Sequence, residues 1–336
     1  VGLLMSPQAQ GHLAMLLFAA LVGGSFSLGA LAANEIAPLA FNALRFWIAA
    51  VILGAAVLWR GGTAGAFAAP WRYVVLGVIY AIYFWLMLEG LRTAHPVSAS
   101  AVFTLTPLMA AIFGLVLLRQ RLTGWIGAAL ALGAAGALWV IFDADWAALM
   151  AFDIGRGEAV FFVGCVAHAL YAPLVRLLNR GEPALVFTLG VLVVGAVALT
   201  ALGWGDIRAT DWGALPGVVW VALIYMAVFT TAVTFVLMQV AALRLPSSKV
   251  MAYTYLMPGS VILWEVGLGS ALPPPVVLVG VALTAGALVM LLRDEERDAA
   301  APLAAVVEGG VTPPPSLRDG PSVEHFRSEE GAGKGS

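Results

Sequence analysis

Several stretches of this chain are apolar for longer than a water-facing helix sustains. Leu13 to Ala33, Val97 to Leu118 and Ala214 to Leu243 each reach or exceed the roughly 20 residues that cross about 30 Å of hydrocarbon. Inside a bilayer the backbone must satisfy its own hydrogen bonds, so such runs fold as helices. Composition agrees: only 11% of the 336 residues are charged against 62% hydrophobic. A soluble domain covers its surface with about 25% charged residues. The 37 glycines suit helices that approach closely in lipid.

The pattern predicts an all-α integral membrane protein with ten spans: 12–31, 36–59, 71–91, 97–118, 124–142, 157–178, 183–202, 215–240, 248–269 and 276–292. Breakers fall between them, at Arg60-Gly61-Gly62, Arg180-Gly181-Glu182-Pro183 and Pro273-Pro274-Pro275. From Arg293 onward the chain holds 5 Lys/Arg against 9 Asp/Glu and includes Pro313-Pro314-Pro315. Residues 293–336 read as a disordered cytoplasmic tail. The first apolar run has no Lys or Arg before it, unlike a cleaved signal peptide, and is expected to be the first span. Cys165 is the only cysteine, so no disulfide within the chain is expected.

Basic residues set the expected orientation. With the N-terminus cytoplasmic, the inside connections carry Arg60, Arg72, Arg119, Arg121, Arg176, Arg180, Arg244 and Lys249, and the tail adds five more. The outside holds Arg92, Arg156 and Arg208, and Arg45 lies within a span. Thirteen against three places both termini inside, which an even span count also requires. The expected location is the inner membrane.

The two halves resemble each other. Ala99-Ser100-Ala101-Val102-Phe103-Thr104-Leu105-Thr106-Pro107 corresponds to Val250-Met251-Ala252-Tyr253-Thr254-Tyr255-Leu256-Met257-Pro258. Downstream, Gly127, Ala129-Leu130 and Gly133 correspond to Gly280, Ala282-Leu283 and Gly286. Five spans per half is an odd number, so the second copy must enter the membrane upside down. Residues 12–142 and 156–292 are therefore expected to form two inverted five-helix repeats, with a site near the midplane between them.

The order of these features resembles the EamA-type branch of the drug/metabolite transporter superfamily. The resemblance rests on Leu44-Arg45-Phe46, Glu89-Gly90-Leu91-Arg92-Thr93-Ala94, Ser98-Ala99-Ser100-Ala101, Thr106-Pro107-Leu108 and Gly127 to Gly133 in the first half. Ala169-Leu170-Tyr171 and Met257-Pro258 carry it in the second. It implies ten helices and export of small metabolites such as amino acids, amines or drugs. More distant relatives carry nucleotide sugars and sugar phosphates.

A charge at mid-membrane costs about 2.5–3.5 kcal/mol on insertion scales, so each has a reason to be there. Arg45 lies near the midplane of the second span, suited to a substrate carboxylate or to tying its helix to neighbours. Asn42 shares its face. His168 and Tyr171 lie at mid-depth in the sixth span, where an imidazole suits hydrogen bonding or proton exchange. Tyr80, Tyr83, Tyr253 and Tyr255 suit stacking on a substrate, or else interfacial anchoring. Glu89 and Glu265, near outer span ends, are the candidates for proton coupling. Pro107 and Pro258 free the carbonyls of Phe103 and Thr254 and suggest gating bends.

The expected partners are a small-molecule substrate, membrane lipid and coupling protons. No nucleic acid, metal or cofactor is expected, and the protein is expected to act as a monomer or homodimer. An intramembrane enzyme is the main alternative. Its usual signals, His-Glu-x-x-His, Gly-x-Ser-x-Gly or paired cysteines, are missing from the sequence.

Overall fold

The computed structural model describes residues 6–60, 69–119, 123–242, 244–245 and 247–309, and every regular element among them is helical. The described residues through Leu292 form one compact unit, and the helical residues from Arg293 to Gly309 belong to a second. The main elements are α1 (Pro7–Ala33), α2 (Pro38–Trp59), α3 (Trp71–Gly90), α4 (Pro96–Leu118) and α5 (Gly124–Ile141). They continue with α6 (Arg156–Leu178), α7 (Ala184–Leu202), α8 (Gly217–Met238), the broken α9 (Ser247–Gly267) and α10 (Pro275–Gly309). Starts are marked by proline at N1 in α1, α2 and α4, where its missing N–H has no helical partner to lose. Ser6 and Thr123 cap α1 and α5 by accepting from Ala9 N and Ile126 N.

Among the described residues nine helices, α1–α8 and α10, are long and apolar enough to cross a membrane. The tenth expected span, 248–269, is instead interrupted. Ser247–Ala252 is followed by a 3-10 turn at Tyr253–Leu256, and Met257–Gly267 is the longest continuous piece, at 11 residues. The cause is Pro258, which has no N–H for the preceding turn and restarts the helix at its first positions. Pro107 does the same in α4, where Thr106–Leu118 restarts after a break at Thr104 and Leu105. Helical backbone in α10 extends to Gly309, into the stretch that reads from sequence as a tail. Gly61-Gly62, Arg121 and the chain beyond Gly309 lie outside the described residues.

The packing repeats itself across the two halves. The helix α1 packs on α8 and α9, and its counterpart α6 packs on α3 and α4. Two pairs of counterparts meet each other. Between α2 and α7, Trp47 donates from Nε1 to Thr200 Oγ1 at 3.0 Å, Leu39 lies against Gly203 and Gly54 against Leu189. Between α5 and α10, Trp125 Nε1 donates to Met290 O and Trp139 Nε1 to Val276 O, both at 2.9 Å. In each pair residue numbers rise on one helix as they fall on the other, so both pairs are antiparallel.

The α5–α10 contact depends on glycine. A Cβ at Gly136 would lie 2.6 Å from the carbonyl oxygen of Gly280, and one at Gly280 2.7 Å from that of Gly136. Both obstacles are backbone and cannot rotate away. At the end of α3 nearest the N-terminus, Arg72 is almost fully buried. It donates from Nη2 to Glu182 Oε1 and from Nη1 to Leu178 O, each at 2.6 Å. This joins the first repeat to the α6–α7 connection. The hydrogen bond from Arg72 holds the Glu182 carboxyl down to about 2.

Two outcomes follow. Gly136→Leu is expected to lower the melting temperature in detergent by the equivalent of about 1–3 kcal/mol or more. Gly127→Ala, whose Cβ meets nothing within 4 Å, is expected to be neutral. Because the Glu182 pKa is depressed, its stabilisation is full above the ordinary 4.5 and is lost as pH falls toward 2. Thermal melts from pH 6 to 3 are expected to show a shallower acid loss in Glu182→Gln than in the parent, from a lower starting stability.

Candidate functional site

Two turns into α2, where the flanking residues are apolar, Arg45 is 1% exposed. Its guanidinium lies over the Phe84 ring of α3, 4.2 Å from the centroid. Nη2 donates to Thr230 Oγ1 at 3.4 Å and Thr231 Oγ1 at 3.3 Å, which are long bonds. Nε and Nη1 have no hydrogen-bond partner. Among the described residues the ion pairs are Arg72–Glu182 and Arg92–Glu89, so no carboxylate answers Arg45. Five N–H donors are presented and only one edge is held.

The threonines sit in a π-helical turn, Val228–Val233, inside α8. A π turn adds one residue, which lets successive side chains reach the same carbonyl: both hydroxyls donate to Met226 O, at 3.0 and 2.9 Å. Each hydroxyl hydrogen is thereby committed, and the oxygens are left to accept from Arg45. Sequence reading did not single out these two residues. The signal was available, as a Thr-Thr pair in mid-run of an otherwise apolar span.

Asn42 donates from Nδ2 to Pro38 O and to Phe84 O, both at 3.0 Å, pinning α2 to α3. Its Oδ1 is buried without a partner. An aromatic group continues from Phe84. Tyr80 meets Phe84 edge-on at 4.8 Å between centroids and stacks on Tyr171 at 4.9 Å. His168 lies 4.4 Å from Tyr83 and 5.6 Å from Phe103, and its Nδ1 is buried without a partner. The structure thus brings together Arg45, Asn42, Tyr80, Tyr83, His168 and Tyr171, from α2, α3 and α6, with α4 and α8 completing the walls.

Other expected site residues lie elsewhere. Tyr253 and Tyr255 belong to a separate apolar cluster with Met15 and Leu130. The Tyr253 hydroxyl meets His12 Nδ1 at 2.7 Å, and Tyr255 packs on Gly133. The 3-10 turn that carries them explains this, because it ends the α-helical register before Pro258. Glu89 is half-exposed and pairs with Arg92 at 3.4 Å. Glu265 accepts from Ser270 Oγ at 3.1 Å at the end of the bundle opposite the N-terminus. Pro107 and Pro258 each begin a helical segment, as described above.

Comparison with known proteins bears directly on this arrangement. Residues 9–142 and 155–293 each match the EamA-like transporter family. The chain belongs to that family. Its two matches divide the molecule where the packing pattern repeats. A relative in Bacillus subtilis (strain 168), described as uncharacterized transporter YyaM, is 26% identical over 253 residues, 74% of this chain and 82% of its own. One crystal structure, of a protein whose description gives no function, matches with a TM-score of 0.62 at 22% identity. It covers 84% of this EamA-family chain and 95% of the other, a likeness that speaks to fold.

If the threonine pair fixes the guanidinium, the double variant Thr230→Val, Thr231→Val leaves Arg45 free to swing from its place over Phe84. Hydrogen bonds to a charged group contribute about 1.5–3 kcal/mol when well formed, and these are long, so an increase of about tenfold in half-saturating substrate concentration is expected. Transport assays on the folded variant check this.

Proposed function

We propose that this EamA-family protein is a secondary transporter that exports a small metabolite bearing an anionic group, by alternating access between two inverted five-span repeats. The single observation that carries the reading is Arg45: a buried cation with two unpartnered nitrogens, Nε and Nη1, and no carboxylate to meet it among the described residues. A guanidinium so placed is costly until an anion arrives, and a substrate carboxylate supplies the missing acceptors. The aromatic walls of Tyr80, Tyr83, Tyr171 and His168 suit a flat or apolar body attached to that anion.

Several features support the ten-span, inverted arrangement. The α2–α7 and α5–α10 pairs are antiparallel, as equivalent helices in inverted copies are. The proline-started segments of α4 and α9 occupy equivalent places and supply matched bending points. The distribution of Arg and Lys supports cytoplasmic termini.

In the alternating cycle the site opens to one side at a time, with the repeats rocking about it. Arg45 stays at mid-depth, which keeps the anion's path through hydrocarbon matched by one fixed charge. The test is uptake of carboxylates and amines by purified protein in liposomes, with and without a pH gradient. Saturable flux of carboxylate-bearing compounds is expected. Arg45→Ala is expected to weaken it about 10- to 100-fold, as loss of a charge-assisted pair does, and Arg45→Lys to recover part of that. Equal flux in parent and folded Arg45→Ala rules out the grip. No flux for any compound counts against the transporter reading itself.

A further inference from the structure

A cavity lies at the end of the bundle opposite the N-terminus, and Arg45 is not among the residues that line it. It measures about 300 Å³. Its polar lining is His95 at the start of α4, Ser98 one turn on, Asp143 just beyond α5, and Glu265 and Ser270 at the end of α9. The first three belong to one repeat and the last two to the other. Val97, Val140, Ile262 and Val277 supply apolar walls.

Ser98 is the informative member. It is 6% exposed, it lines the cavity, and its Oγ has no hydrogen-bond partner. A buried hydroxyl left in that state is unfavourable until an occupant bonds to it. Two carboxylates, of exposed Asp143 and half-buried Glu265, line the same cavity. Neither forms an ion pair among the described residues, where the pairs are Arg72–Glu182 and Arg92–Glu89. Glu265 takes one bond from Ser270 Oγ, which leaves most of its acceptor capacity open. His95 Nδ1 accepts from Val97 N at 3.4 Å to cap α4.

The size and spread of the acceptors narrow the occupant. The volume is about ten times the roughly 30 Å³ share of one water in the liquid. It sits at the lower limit of small-molecule pockets, which span about 300–1,000 Å³. Among the described residues no three His, Cys, Asp or Glu side chains converge closely enough to hold a metal ion. An occupant must therefore carry positive charge on a body large enough to touch separated acceptors and four aliphatic side chains.

The geometry points to a binding site for a small aliphatic ammonium ion in this cavity, formed by residues other than those around Arg45. The ammonium N–H groups are received by the Asp143 and Glu265 carboxylates and the Ser98 hydroxyl. The methylenes lie on the valine and isoleucine walls. Because the lining comes from both repeats, an occupant bridges α4 and α5 to α9 and α10. This assignment stands on the cavity alone and does not depend on what Arg45 binds.

The test uses the full chain in nanodiscs of zwitterionic lipid, titrated calorimetrically with n-butylammonium and, in parallel, with butyrate. One saturable site for the amine and none for butyrate at this cavity is expected. Asp143→Asn and Glu265→Gln are each expected to weaken the amine about tenfold, as loss of one charge-assisted bond does, and Ser98→Ala about threefold. Ala271→Trp fills the cavity without removing a charge and is expected to abolish binding, so the outcome stands even where a carboxylate variant fails to fold. Heats equal to those of empty nanodiscs, or affinity unchanged in the folded carboxylate and tryptophan variants, overturn the assignment.

Discussion

Every peptide group that enters hydrocarbon must carry its own hydrogen-bond partner, and this protein is organised by that demand. It makes the chain helical among the described residues, and it also governs where the helices are allowed to fail. The interruptions of α4 and α9 occur where proline removes an N–H. In α4, Thr104 Oγ1 donates to the Ala101 carbonyl at 2.7 Å, and in α9 Thr254 Oγ1 donates to Met251 O at 2.8 Å. The π turn of α8 follows the same rule, with two threonine hydroxyls sharing the Met226 carbonyl. In each of these three helices the irregular turn is accompanied by threonine hydroxyls that donate to nearby backbone carbonyls.

Once backbone demands are met, the remaining polar atoms stand out. Asn42 spends its amide hydrogens on two carbonyls, and Arg72 spends its donors on Glu182, Leu178 and Ala69. Both residues tie helices or repeats together through their donors, while Asn42 Oδ1 stays without a partner. Arg45 differs, because its buried guanidinium has bonds on one edge and none at Nε or Nη1. The contrast between Arg72 and Arg45 separates a cation whose donors are met from one whose donors are left open, which is the basis of the proposed anion site. Position in sequence cannot separate them, since each is an arginine in or at the start of an apolar helix.

Helix association in lipid gains little from the hydrophobic effect, so close fit and polar ties must hold the repeats together. The Gly136–Gly280 approach provides the first. Three consecutive carbonyls of α1 provide an example of the second: Ala19, Ala20 and Leu21 accept from Ser260, Trp264 and Tyr225. The glycines at 23 and 24 leave room for those donors to reach the α1 backbone. Among the described residues no comparable run of polar bonds holds α6 at Gly164, where an added Cβ would lie 3.1 Å from Leu86 Cβ and 3.3 Å from the Tyr83 carbonyl oxygen. The two first helices of the repeats are thus held differently, despite matching partners.

The sequence by itself determined the membrane class, nine of the ten expected helical spans and the two-part plan, because apolar run length and proline and glycine placement act locally. It also marked Arg45, His168 and the tyrosines of α3, because polar groups in apolar runs are visible one residue at a time. The tertiary structure alone decided which of these meet. It joined Tyr80, Tyr83, His168 and Tyr171 beside Arg45 and sent Tyr253 and Tyr255 to another cluster, through a 3-10 turn whose effect on side-chain direction no run of letters displays. It also supplied Thr230 and Thr231, whose role depends on a π turn and on a helix 185 residues away in sequence. Whether a buried charge has a partner is a property of packing between distant segments, and so it became legible only when the helices were assembled.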